Sequence, residues 1–81
     1  MMSGEVQQYT DIVVQYKSID MLDWCNENIA GYGRWVSWVN PSFYFDSGYS
    51  WYARRYRSSD SRVIFSFARP EDATLFSLRW A

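Results

Sequence analysis

Two strand-like runs separated by a four-residue polar turn constrain this chain more than any other feature. Tyr49 to Arg57 and Arg62 to Ala68 are rich in aromatic and β-branched residues, with Ser58-Ser59-Asp60-Ser61 between them. That pattern specifies a β-hairpin. Along the first run, Tyr49, Trp51, Ala53, Arg55 and Arg57 fall on one side, and Ser50, Tyr52, Arg54 and Tyr56 on the other. Neither side is conventionally apolar, so one of them buries an aromatic ring with an arginine lying over it.

The remaining segments supply partners for the hairpin. Residues 5–17 favour a strand, with Ile12, Val14 and Tyr16 on one face. Ser18 reads as the N-cap of a helix over Ile19–Ile29, with Asp20 and Asp23 where carboxylates favour the helix dipole. Ile19, Leu22, Cys25 and Ile29 share a face, with Met21 beside it, while Asp20, Asp23 and Glu27 face water. Gly31 and Gly33 end this helix. Arg34 to Val39 reads as a second strand that Pro41 terminates. Residues 42–48 fit either a short strand or an aromatic loop closing at Asp46-Ser47-Gly48. Pro70-Glu71-Asp72-Ala73 opens a second helix. Ala73, Phe76 and Trp80 share a helical face, but Phe76, Leu78 and Trp80 also alternate as a final strand would, and both endings stay open.

The order β-α-β-β-α, with or without a last strand, predicts an α+β domain. The expected architecture is a small ferredoxin-like (split β-α-β) antiparallel sheet with two helices on one face. The chain has 81 residues and no internal repeat, low-complexity tract or linker, so 1–81 is expected to form a single domain.

Composition narrows the function classes. Aromatics make up 21% of the chain, with five Trp, seven Tyr and five Phe. A core this small is not expected to hold them all, so several rings are expected at the surface, where Trp, Tyr and Arg mark interfaces and base-stacking platforms. The net charge is −1, which gives no overall basic field. The halves differ: residues 1–33 set five carboxylates against Lys17 alone, whereas residues 34–81 set seven arginines against four carboxylates.

The residues for common catalytic constellations are missing. There is no His, and Cys25 is the one cysteine. No His-based general base, Cys-His pair or structural zinc site can be assembled from them. Cys25 reads as a packed apolar residue in a reducing compartment. Asp20 with Asp23, and Glu71 with Asp72, read as solvated or dipole-facing acids rather than a catalytic pair. Gly31-Tyr32-Gly33 lacks the spacing of a phosphate-binding loop. The expectation is therefore a protein that is not an enzyme and takes no cofactor or metal. Met1–Val6 does not resemble a signal peptide, no apolar run is long enough to span a membrane, and Asn40-Pro41-Ser42 is blocked as a glycosylation acceptor by its proline. A cytoplasmic location is the expectation.

One segment carries a family resemblance. Phe65-Ser66-Phe67-Ala68-Arg69-Pro70-Glu71-Asp72-Ala73-Thr74-Leu75-Phe76-Ser77-Leu78-Arg79-Trp80 resembles the closing segment of small uncharacterised proteins of tailed bacteriophages. The shared pattern is an aromatic strand followed by Pro-Glu-Asp-Ala-x-x-Phe-x-Leu-x-Trp. The resemblance implies a phage origin, synthesis in the host cell cytoplasm, and an accessory role in which a host or phage protein is bound. It carries no catalytic residue to transfer.

The leading expectation is an interaction protein that binds a host or phage protein through an aromatic and arginine-rich sheet surface. Trp35, Trp51, Arg55 and Arg57 are the candidate contact residues. The alternatives are a single-stranded nucleic-acid-binding module using the same surface, and a self-associating homodimer formed by strand addition at a sheet edge. The nucleic-acid alternative lacks the Gly-aromatic consensus of RNA-recognition domains, since Arg62-Val63-Ile64-Phe65 does not begin with Lys/Arg-Gly.

Overall fold

The hairpin forms as expected and lies at the centre of the sheet. A computed structural model of the protein describes residues 9–36, 48–57 and 61–81. These contain, in chain order, β1 (Thr10–Gln15), α1 (Asp20–Asn28), β2 (Gly33–Trp35), β3 (Trp51–Arg55), β4 (Arg62–Phe67) and α2 (Pro70–Trp80). β3 pairs antiparallel with β4, β1 pairs antiparallel with the other side of β4, and β2 lies parallel to β3, for a sheet order β1-β4-β3-β2. The expected strand over residues 5–8, Trp38, Pro41, most of the 42–48 segment and the turn at 58–60 lie outside the described residues.

The chain is thus a small α+β fold with a four-stranded mixed sheet, and the expected antiparallel sheet is corrected. β1 and β2, joined by α1, run parallel with two strands between them, and β2 and β3 are parallel neighbours. The physical reason lies in the connection. Parallel neighbours need a crossover of about a dozen residues or more, and residues 36–50 separate β2 from β3.

Side-chain volumes explain the register on the helix-covered face. Across the sheet, the first row is Thr10, Phe67, Trp51 and Gly33, the second is Ile12, Phe65, Ala53 and Trp35, and the third begins Val14, Val63, Arg55. Large residues meet small ones: Trp51 lies against Gly33, and Trp35 against Ala53. A Cβ at Gly33 would run into the Trp51 carbonyl oxygen and indole ring. Glycine is required there by close approach rather than by a special backbone angle.

Both helices cover this face. Met21, Cys25 and Ile29 from α1, and Ala73, Phe76 and Trp80 from α2, join Val14, Trp51, Ala53, Val63, Phe65 and Phe67 in one buried cluster. Phe76 is the central contact, with its ring 4.5 Å from Phe65, 5.2 Å from Phe67 and 5.9 Å edge-on from Trp24 of α1. Full burial of such a side chain is worth about 1.5–3 kcal/mol. The open ending of the chain resolves as helix: a strand would have had to bury Leu78 with Phe76 and Trp80, but Leu78 is 82% exposed.

The helix ends are tied by local chemistry. Ser18 Oγ accepts from the Asp20 N–H at 3.1 Å, and its carbonyl accepts from Met21 N–H, which satisfies two donors at the start of α1. At its other end α1 closes at Ile29, whose backbone is extended and whose N–H donates to the Cys25 carbonyl; Gly31, expected with Gly33 to end the helix, adopts φ +90° two residues further on, and Gly33 lies in β2. Glu71, at the start of α2, has its carboxyl held below the usual range by a backbone N–H there and by Arg69. At the far end of α2, Lys17 Nζ donates to the Trp80 carbonyl at 3.1 Å, placing a cation at the negative helix terminus.

Two measurements check this packing. Burial pushes the Cys25 thiol up to about 12, so no reactive thiolate forms near neutral pH. Alkylation of Cys25 should proceed only through unfolding and accelerate across the urea transition; rapid labelling of the native protein would contradict its burial. Phe76→Ala should cost about 3–5 kcal/mol in urea denaturation, whereas Leu78→Ala should cost less than about 0.5 kcal/mol. Equal costs would restore the strand ending.

Candidate functional site: a groove at the sheet end

The third row of the covered face ends in Arg55, and the core stops there. β1, β2 and β3 run in one direction, so their carboxyl ends meet at the same end of the sheet, where α1 begins. Tyr16 follows β1, Trp35 closes β2 and Arg55 closes β3. Ile19 and Leu22 come from the start of α1, and Ser61 and Val63 from the start of β4. Together they line an open groove of about 630 Å³. Tyr16 points to the helix side because it continues the phase of Ile12 and Val14; Arg55 does so because it continues Trp51 and Ala53. Tyr16 and Trp35 meet edge-on at 6.3 Å. Ile19 is 57% exposed and Tyr16 39%, so an apolar surface stands open at this end.

The arginines divide by their partners. Arg54 lies on the opposite sheet face, donates to Ser66 Oγ at 3.0 Å and stands 3.9 Å from the Asp11 carboxylate. Arg69 pairs with Glu71 at 3.1 Å, Arg34 donates to the Trp35 carbonyl, Arg79 covers the Trp80 ring, and Arg57 and Arg62 lie over Tyr56. Arg55 is exposed, and among the described residues its guanidinium is the one arginine head group without a hydrogen bond, ion pair or ring contact.

The four sequence candidates separate accordingly. Trp35 and Arg55 come together in the groove. Trp51 is 1% exposed, enclosed between Gly33 and Phe65 in the core, so its ring has no surface to offer a partner. Arg57 is exposed beyond the end of β3 and stacks over Tyr56 at 5.4 Å, outside the groove lining given above. Tyr16, Ile19 and Leu22 belong to the groove but were not among the candidates. The alternation through Ile12 and Val14 signals the side on which Tyr16 stands. Ile19 had no such signal, because helical spacing placed it with the buried residues.

The opposite sheet face satisfies itself. Ser66 is fully buried, donates to Asp11 Oδ1 at 2.6 Å and accepts from Arg54. Its hydroxyl is bound to structural partners rather than poised against a base. Tyr52 is buried and meets Tyr9 edge-on at 5.1 Å, while the Tyr9 hydroxyl donates to the Tyr49 carbonyl at 2.7 Å. Burial, and then the neighbouring Tyr52, push ionisation of Tyr9 upward. The described rings on this face therefore do not form an open row beside free arginines, as base stacking would need.

Asp20, Asp23 and Glu27 of α1 border a shallow depression of about 280 Å³ with Trp24, Arg79 and Trp80. Among the described residues, no cluster of carboxylates and cysteine is suited to hold a metal, and no helix is long and apolar enough to cross a membrane. Comparison of the chain with protein-family models, curated proteins and solved structures gave no match.

The Ser66 hydroxyl that holds Arg54, and the Arg55 side chain, should differ sharply in their effect on folding. Ser66→Ala, which leaves Asp11 and Arg54 without the hydroxyl between them, should cost about 1–3 kcal/mol. Arg55→Gln should change stability by less than about 0.5 kcal/mol. Urea denaturation of the two variants checks this, and a large loss in Arg55→Gln would make that side chain a structural one.

Proposed function

We propose that this chain is a non-enzymatic interaction protein that docks another protein at the groove lined by Tyr16, Ile19, Leu22, Trp35 and Arg55. One observation carries the reading: exposed apolar side chains surround a guanidinium that has no partner among the described residues. Aromatic and arginine side chains in one depression are the usual anchors of protein interfaces. The resemblance of residues 65–80 to small phage proteins adds the biological setting, in which a phage accessory protein binds a host or phage protein in the cytoplasm of the host cell. The contact set is Trp35 and Arg55 with Tyr16, Ile19 and Leu22. Trp51 supports the site from within the core.

Capture from host lysate and from phage-infected cells tests this, with and without nuclease, using the wild-type chain and two charge variants. Ile19→Glu should abolish retention of a partner protein, because it sets a carboxylate among the groove's apolar walls. Val13→Glu, on the opposite sheet face, should leave retention intact. Unchanged retention by Ile19→Glu would remove the groove from the function, and loss of the retained material on nuclease treatment would put nucleic acid in its place.

A further inference from the structure

We infer that the occupant of the groove is a protein segment that places an apolar or aromatic side chain directly beside a carboxylate. This rests on the docking reading above and specifies its partner chemistry. The walls supplied by Tyr16, Ile19, Leu22, Trp35 and Val63 offer a ligand dispersion and burial, and no carboxylate stands among the described lining residues. Among the described lining residues the single charge is that of Arg55, whose planar guanidinium presents paired donors matched to a carboxylate.

Its position explains why the two features must be adjacent in the partner. Arg55 lies opposite Val63 in the β3–β4 register, on the same sheet face as Trp35. An anchor resting on Trp35 and the exposed Ile19 shares the groove with Arg55, so a neighbouring residue of its own chain can meet the guanidinium. A carboxylate bound there is partly shielded from water by the anchor, which strengthens the charge-assisted hydrogen bonds. An extended segment suits the site better than a small acid does. Small-ligand sites enclose most of their ligand, whereas among the described residues the walls Ile19 and Tyr16 stand exposed.

The α1 terminus does not provide a competing anion site. Its first N–H groups are already engaged: Asp20 by Ser18 Oγ, Met21 by the Ser18 carbonyl, and Leu22 and Asp23 by the Ile19 carbonyl. Asp20 and Asp23 stand exposed on the same helix. A phosphate-rich ligand would face these acids, whereas a single carboxylate directed at Arg55 has a cation of its own.

The test is an NMR titration of the full chain with acetyl-Gly-Phe-Glu-Gly-amide, its Gln counterpart and acetyl-Gly-Ala-Glu-Gly-amide. The Phe-Glu peptide should shift the Ile19 methyl and Trp35 indole resonances and bind about tenfold more tightly than the Phe-Gln peptide, the ratio that about 1.4 kcal/mol provides. The Ala-Glu peptide should bind more weakly than the Phe-Glu peptide. The preference for Glu over Gln should vanish in Arg55→Gln and persist in Arg57→Gln. Equal binding of the Phe-Glu and Phe-Gln peptides at Ile19 and Trp35 would overturn the carboxylate assignment while leaving the docking groove in place. No shift at Ile19 or Trp35 with any of the peptides would overturn both.

Discussion

The contact of Phe76 with Phe65 and Phe67 is the interaction on which the rest of the structure depends. It joins the last helix to the central strand pair, and Trp24 meets the same ring from the first helix. A small domain gains little from area alone, because it buries a lower fraction of its surface than a large one. Large rings offset that limit by removing more surface per residue. The rings fit because small residues stand beside them: Gly33 next to Trp51, and Ala53 next to Trp35. This pairing fixes the register of β2 against β3, while the connection between them allows the parallel direction.

The same row-by-row packing creates the groove. Two rows of the covered face end in apolar or small residues, and the third reaches Arg55. A guanidinium with no acid beside it among the described residues cannot be sealed under a helix without a large desolvation cost. The covered face opens at that row, and Ile19, just before the first turn of α1, is left standing in water. On the other face of β3, the cost is avoided differently: Arg54 is held by Ser66 and Asp11. Neighbouring arginines on one strand thus have separate fates, one committed to the fold and one left at the surface.

Much of this was legible in the residues themselves. The hairpin followed from alternation on both sides of a polar turn, and the start of α2 from Pro70 with two acids behind it. The covered side of β1 could be read from Ile12 and Val14. Three features could not be read that way. The direction of β2 relative to β3 depends on how residues 36–50 return the chain, which local pattern does not encode. Phe76, Leu78 and Trp80 carry both a helical and a strand period, and only the cluster around Phe76 selects the helix. Trp51 and Trp35 look equivalent as aromatic strand residues, yet one lies beside glycine in the first row and the other borders the open end. The groove was half visible for the same reason: Trp35 and Arg55 stood out by type, while Ile19 was disguised by its place in a helical repeat.

Hydroxyl-radical footprinting of the native protein, read residue by residue by mass spectrometry, tests most directly whether the covered face ends at Arg55 and leaves the groove open. The account predicts rapid oxidation of Tyr16 and Ile19, with Trp51, Phe65, Phe67 and Phe76 protected until the protein unfolds. Oxidation of Trp51 as fast as that of Tyr16, or protection of Ile19 equal to that of Phe76, would contradict it.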